Sequence, residues 1–133
     1  MEQEGMVSVW AGIFETEEEL MAYASEEGYD SKRNMMISPF NHDFFGGNAI
    51  WPFDPDFWER GLIEFTADPE ELVLSFSYGE SFGPALKECF PNGLGKAYNA
   101  VILVYNYEFD YDKNVCNPNA PVIFLGSVPY DED

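Results

Sequence analysis

The spacing of hydrophobic residues along the chain predicts four strands. Residues 7–14, VSVWAGIF, are apolar on both alternating faces, as expected of an interior strand that is covered on both sides. Residues 72–78 and 100–112 show period-two alternation, and residues 122–128 form a last apolar run. Gly12 in the first strand is expected to let a neighbouring backbone or ring approach closely.

Two helices are predicted from capping residues and helical spacing. Thr16 begins the first helix, with Glu19 placed to complete a capping box with the Thr16 amide. Ser81 is expected to cap the second helix, which the segment PNG at 91–93 ends. The inward-facing residues are expected to be Leu20, Tyr23 and Ala24 in the first helix and Phe82, Leu86, Cys89 and Phe90 in the second. Residues 34–61 mix proline, glycine and aromatic residues, which indicates loops with short helical turns.

The order of these elements favours an α+β fold. We expect a mostly antiparallel sheet of four to five strands, with two main helices packed on one face. The chain contains no linker, repeat or low-complexity run, so residues 1–133 are expected to form a single domain.

The charge of the chain is strongly unbalanced. It contains 25 acidic and 6 basic residues, for a formal net charge of −19. This balance argues against nucleic acid and against an anionic membrane surface as partners, because both are bound through Lys and Arg. It favours a basic protein partner, since opposite fields speed encounter and fix orientation. Solubility alone is the alternative explanation.

The sequence also bears on the compartment. No segment approaches the roughly 20 apolar residues of a membrane span, and the first residues are acidic, unlike a signal peptide. The two cysteines form no disulfide framework and match no metal-ligand spacing. We therefore expect a cytoplasmic protein with both thiols reduced. Cys89 is expected in the core, and Cys116 falls in a predicted turn.

Support for catalysis is weak. His42 is the single histidine, and no nucleophile-elbow motif is present. The segment DPDFWE at 54–59 is rich in carboxylates but lacks the glycine and the spacing of a calcium loop. We expect no cofactor and no metal. A small enzyme with a site built from carboxylates or His42 is kept as an alternative.

Two groups of carboxylates are candidates for a binding surface. Strand alternation would place Glu108, Asp110 and Asp112 on one face, about 6.5–7 Å apart per pair. The acids of DPDFWE lie beside aromatic residues, a combination favoured at interface hot spots. The expected partner-binding residues are Asp54, Asp56, Trp58, Glu59, Glu108, Asp110 and Asp112. The alternatives are a solvated sheet edge for the first group and inward-folded rings for the second.

Four segments in order resemble a known family. They are VSVWAGIFETEEEL, then SPFNHDF followed by DPDFWE, then SYGESF, then NAVILVYNYEFDYD. Between about residues 7 and 126 they are similar to the small acidic α+β immunity proteins of bacterial polymorphic toxin systems, and more narrowly to the immunity family numbered twenty-two, formerly a domain of unknown function. The positions that match the pattern are Trp10, Gly12, Asp54, Asp56, Glu59, Ser77, Tyr78 and Phe82.

The resemblance implies a function without catalysis. It implies a cytoplasmic antitoxin that binds and blocks the C-terminal domain of a cognate toxin, and it brings no catalytic residues with it. Many such toxin domains are nucleases, which must be basic to hold phosphate, and carboxylates could occupy the place of those phosphates. A soluble adaptor domain is kept beside the small enzyme as an alternative.

Overall fold

The computed structural model describes residues 2–25, 29–30, 35–36, 38–45, 57–111 and 116–131. The strands are β1 (Glu2–Gly12), β2 (Tyr29–Asp30), β3 (Met35–Met36), β4 (Trp58–Thr66), β5 (Tyr98–Tyr107) and β6 (Val122–Pro129). The helices are α1 (Glu17–Tyr23), α2 (Pro39–Phe45), α3 (Pro69–Val73) and α4 (Gly79–Cys89).

A four-stranded antiparallel sheet forms the centre of the fold. Its strand order is β4-β5-β1-β6, and β2 and β3 pair separately. Strands β1 and β5 are interior, which explains why both are apolar on both faces. Gly12 lies where an added Cβ would come within 2.6 Å of Pro121 O and of Val122 Cγ1, so the predicted close approach is confirmed. The predicted α+β class and antiparallel sheet are confirmed.

Helices cover both faces of the sheet, whereas the sequence predicted them on one face. One core layer, around Trp10, contains Leu20 of α1 and Phe40 of α2. The other layer contains Leu72 of α3 and Phe82 of α4. The reason is the two-sided apolar character of β1 and β5, since each face must be covered to remove it from water.

The predicted strand at residues 72–78 is wrong, because helix α3 includes its first two residues and no strand follows before α4. Asp68 caps α3 by accepting a hydrogen bond from the Glu70 amide at 3.0 Å, and Pro69 occupies the first turn. Pro is pre-organised for this position, so the capping signal outweighs the alternation of the residues that follow. Leu72 and Val73 are adjacent and pack in the same core layer, whereas alternation along a strand would place them on opposite faces. Strand β4, by contrast, begins inside the region predicted to be irregular.

The predicted strand at residues 100–112 is correct only as far as Tyr107. Asn106 has a left-handed backbone, with φ 55°, and this breaks the alternation. Tyr105 therefore faces the α3/α4 layer while Tyr107 faces the α1/α2 layer. Glu108 and Asp110, of the predicted stripe Glu108, Asp110 and Asp112, lie beyond the end of β5, so strand alternation does not align these two; Asp112 lies outside the described residues.

The helix ends agree with the predictions in part. Thr16 Oγ1 accepts from the Glu19 amide at 3.1 Å, but the Glu19 carboxylate accepts from the Glu15 amide at 3.2 Å rather than from Thr16. Helix α4 begins at Gly79, so Ser81 is not its cap. The burial of the two cysteines also differs from the predictions. Cys89, the last residue of α4, is exposed, whereas Cys116 is buried in the α1/α2 layer.

Candidate partner-binding surface

Trp58, one of the predicted partner-binding residues, belongs to the core. Its side chain is only 7% exposed, and its ring stacks on Phe40 with centroids 6.2 Å apart. The guanidinium of Arg60 lies 3.9 Å from the ring centroid, a cation–π contact. The alternative that this ring folds inward is therefore correct. Asp54, Asp56 and Asp112 lie outside the described residues.

Glu59, the next predicted residue, holds three segments of the chain together. Its Oε1 accepts hydrogen bonds from the Tyr105 hydroxyl at 2.7 Å and from the Ser77 amide at 3.0 Å. The Tyr105 hydroxyl also lies 2.7 Å from the carbonyl oxygen of Ser77. Glu59 thus ties β4 to β5 and to the turn before α4, which makes it a positioning residue for whatever that turn presents.

The electrostatics of Tyr105 keep this connection intact. Burial raises the pKa of the Tyr105 hydroxyl above its ordinary value, and the hydrogen bond to the Glu59 carboxylate raises it further. The hydroxyl therefore stays protonated near neutral pH and remains a hydrogen-bond donor to Glu59. A charge-assisted bond of this kind is among the stronger ones in proteins.

Three tyrosines, which we call the tyrosine cluster, meet around this anchor: Tyr78, Tyr105 and Tyr130. The centroids of Tyr78 and Tyr130 are 5.4 Å apart, and each lies within 5.9 Å of Tyr105. The Tyr130 hydroxyl donates to Asn106 Oδ1 at 2.8 Å, and the Gly5 amide donates to the same oxygen at 3.0 Å. Tyr105 is buried, whereas Tyr78 is 43% exposed, so the cluster presents a ring to solvent from a fixed base.

Backbone strain is concentrated at this cluster. Among the described residues, the non-glycine residues with positive φ are Tyr78, at 61°, and Asn106, at 55°. Such a conformation costs of order 1–3 kcal/mol and is typical of functional sites. Asn tolerates it, but a bulky Tyr does so rarely. A Cβ on the following Gly79 would overlap the carbonyl of Val73, so the chain can turn here only with glycine next to Tyr78.

Carboxylates flank the exposed ring of the cluster. Glu80 follows Tyr78 by two residues and Asp131 follows Tyr130, and both are exposed. The Asp131 amide donates to Ser81 Oγ at 2.7 Å, which brings the end of the described chain against the first turn of α4. We call the surface formed by Tyr78, Glu80, Tyr130 and Asp131 the tyrosine end. None of the four is among the predicted partner-binding residues, although Tyr78 is one of the positions that match the family pattern and SYGESF contains both Tyr78 and Glu80.

Glu108 and Asp110 are exposed, as expected of surface residues, but they lie by the other core layer. Phe109 between them is buried, its amide donates to Ser8 Oγ at 3.0 Å, and its ring packs 4.8 Å from Phe124. These two carboxylates therefore flank a core residue of the α1/α2 layer and not the tyrosine cluster. Of the described predicted carboxylates, Glu59 is bonded to Tyr105 of the α3/α4 layer, whereas Glu108 and Asp110 lie by the α1/α2 layer.

The basic residues of the described segments already contact groups of the same chain. They are Arg60 over the Trp58 ring, Lys87 at 3.7 Å from Asp68 and Lys96 at 6.0 Å from the Tyr98 ring. Across these segments the carboxylates far outnumber these three bases. The described surface is consequently dominated by negative charge.

The described residues give little support for a metal site or for a site built on His42. Within the described ranges, no group of three or more His, Cys, Asp or Glu side chains is placed to hold a metal ion. His42 is exposed on α2. Among the helices of the described segments, none has the length and apolarity needed to cross a membrane.

Comparison with known proteins gives one match. The model of the family described as Immunity protein 22 matches residues 7–131 of the 133. No curated protein and no solved structure matches the chain.

Proposed function

The chain belongs to the Immunity protein 22 family, which suggests a toxin-neutralising role, and we propose that it acts in the cytoplasm by binding a cognate toxin domain through the tyrosine end. The observation that carries the proposal is the family match across residues 7–131. In this proposal the protein performs no reaction and inhibits by occupying a surface of the toxin.

The charge supports a basic partner. A net charge of −19 attracts a cationic domain over a long range and repels nucleic acid. A nuclease domain is basic because it must hold phosphates, so carboxylates that replace those phosphates would cover its cleft. Close charge pairs across an interface of this kind can couple by about 1.5–7 kcal/mol.

The geometry of Tyr78 supports the choice of surface. Its ring is exposed and rests on Tyr105 and Tyr130, so little side-chain entropy is lost when a partner covers it. Tyrosine is enriched at interface hot spots, and Glu80 and Asp131 supply charge at its border. The strained backbone at Tyr78, the N-cap of α4, agrees with a role in binding, because such strain clusters at functional sites.

The test is co-expression with the toxin domain that is encoded beside this chain. The proposal predicts that the wild-type protein rescues growth and co-purifies with the toxin domain. The double variant Tyr78→Ala, Glu80→Lys is predicted to lose both while keeping a cooperative unfolding transition.

Two control variants make the result specific. Tyr111→Ala removes a ring that is 57% exposed but stacks on Phe124 beside the other core layer, and it is predicted to bind as the wild type does. Glu108→Lys with Asp110→Lys tests the other carboxylates. If this pair abolishes binding and the tyrosine-end variant does not, the interface lies near Phe109 and the proposed surface is wrong. Absence of any complex and of any rescue would refute the proposed function itself.

A further inference from the structure

A groove runs beside β4, at the edge of the sheet. It has a volume of about 290 Å³ and is lined by Ile63, Glu64, Phe65, Thr66, Glu71, Leu74 and Ser75. It lies between β4 and the segment that connects α3 to α4. We call it the β4 groove.

The apolar part of the groove is unusually open to solvent. Phe65 is 59% exposed and Leu74 is 55% exposed, which places both among the most exposed large hydrophobic side chains of the described residues. Their neighbour Ile63 packs against the α3/α4 core layer, so the apolar surface is continuous with the core. Exposed apolar side chains gathered around a concavity are typical of an interaction surface.

The polar part of the groove is acidic. Glu64 and Glu71 are both exposed, and the Glu71 carboxylate accepts a hydrogen bond from the Thr66 hydroxyl at 3.0 Å. No lysine or arginine is among the lining residues. The groove therefore suits a basic side chain flanked by apolar ones, and it repels an acidic segment.

Strand β4 is at the edge of the sheet, and its one partner among the described strands is β5. An edge strand presents backbone donors and acceptors to which an extended segment can add as a new strand. We propose that an extended segment of the toxin domain pairs with the outer side of β4, placing a basic side chain between the two glutamates of the groove and an apolar one on Phe65 and Leu74. Side chains on one face of such a segment recur every second residue.

The groove is continuous with the proposed interface, and this inference rests on the proposed function. Gly61 of β4 lies under Phe76, and Glu59 of β4 binds the amide of Ser77, so residues 74–78 lead from the groove to Tyr78. A partner seated on the tyrosine end can therefore reach the groove. A second copy of this chain is the less suitable occupant, because two chains of charge −19 would bring like charges together.

The first test is hydrogen–deuterium exchange on the free protein and on its complex with the neighbouring toxin domain. The inference predicts that the amides of residues 58–66 that do not already bond to β5 become protected in the complex. Amides 122–125, at the end of β6 remote from Tyr130, are predicted to be unchanged. Equal exchange of residues 58–66 in the two samples would overturn it. Protection of these amides in the free protein that grows with concentration would also overturn it, by assigning the groove to a self-interface.

The second test uses substitutions in the groove. Phe65→Ser is predicted to weaken binding by about tenfold or more, as expected of a hot spot. Glu64→Lys is predicted to weaken it most at low salt, and this variant keeps the inference testable if Phe65→Ser unfolds. The matched control is Ile123→Ser on β6, an apolar residue that is 46% exposed, and it is predicted to leave binding unchanged.

The outcomes separate the two proposals. If the complex forms and growth is rescued but both groove variants bind as the wild type does, the inference fails and the proposed function stands. If wild-type protein forms no complex, the proposed function fails and the inference fails with it.

Discussion

The hydrogen bond between Glu59 and Tyr105 leads to a quantitative prediction about stability. We consider Glu59→Ala, Tyr105→Phe and the double variant, each measured by urea unfolding. Glu59 Oε1 lies 2.7 Å from the hydroxyl, and Tyr105 is only 6% exposed, so water competes weakly for this bond. If Glu59 anchors the turn before α4, the effects of the two substitutions should not add.

The expected coupling follows from the geometry. A hydrogen bond to a charged group contributes about 1.5–3 kcal/mol. The hydroxyl carries one proton, however, and the carbonyl oxygen of Ser77 is also 2.7 Å away, so the proton can turn to Ser77 once Glu59 is removed. This alternative lowers the loss, and we expect a coupling free energy of about 1.5–2 kcal/mol, the lower part of that range.

A second hydrogen bond between a hydroxyl and a carboxylate, from Thr66 of β4 to Glu71 of α3, supplies the control. Thr66 Oγ1 donates to Glu71 Oε2 at 3.0 Å, but this bond is exposed to solvent. The cycle of Thr66→Val with Glu71→Ala is expected to give a coupling below about 0.5 kcal/mol, near the limit at which effects count as additive. A Glu59–Tyr105 coupling no larger than that of the control pair would refute the anchoring role.

Three further predictions concern the core, the turn at α4 and pH. Trp10→Ala should destabilise by roughly 3–5 kcal/mol, because the ring is fully buried among aromatic side chains; an unchanged urea midpoint would show that it is not core. Gly79→Ala should lower the free energy of unfolding by about 1–3 kcal/mol, because the added Cβ overlaps a backbone carbonyl. Gly83→Ala in the same helix should raise it by up to about 1 kcal/mol, because its added Cβ would lie 3.6 Å from the nearest atoms, an ordinary contact distance. Changes of the same sign in the two variants would contradict this. Burial raises the pKa of Tyr105 above 10.0, so the contribution of its hydroxyl to stability is complete below pH 10 and is lost above it as the unfolded chain ionises. Above pH 10 the free energy of unfolding should therefore fall less steeply with pH in Tyr105→Phe than in the wild type, by up to about 1.4 kcal/mol per pH unit. Equal slopes for the two proteins would argue against a buried hydroxyl.

The sequence predicts well the elements whose local signals agree with their packing. Strand β1 is apolar on both faces, which gives its interior position, and Thr16 with Glu19 gives the start of α1. It fails where two signals conflict or where one backbone angle decides the outcome. The alternation after Val73 competes with the helix start at Asp68. The positive φ of Asn106 leaves Tyr107 and Phe109 in the α1/α2 layer, whereas alternation predicts them beside Tyr105.

The candidate surface shows the same limit. Glu59 was predicted to bind a partner, whereas in the structure it holds Ser77 and Tyr105, which lie 18 and 46 residues away in the sequence. Tyr78 and Tyr130, which pack together, are farther apart in the sequence than either of these pairs, and no local pattern connects them. The aromatic and acidic character of the surface could be predicted from composition, whereas its location depends on contacts that only the fold creates.

The central claim is that a cationic toxin domain binds the tyrosine end. The most direct measurement is the dissociation constant of the complex with the neighbouring toxin domain at low and high salt, for the wild type and for Tyr78→Ala with Glu80→Lys. The account predicts tight wild-type binding that weakens steeply with salt, and binding by the variant that is much weaker and less sensitive to salt. Equal constants for the two proteins, with no dependence on salt, would contradict it.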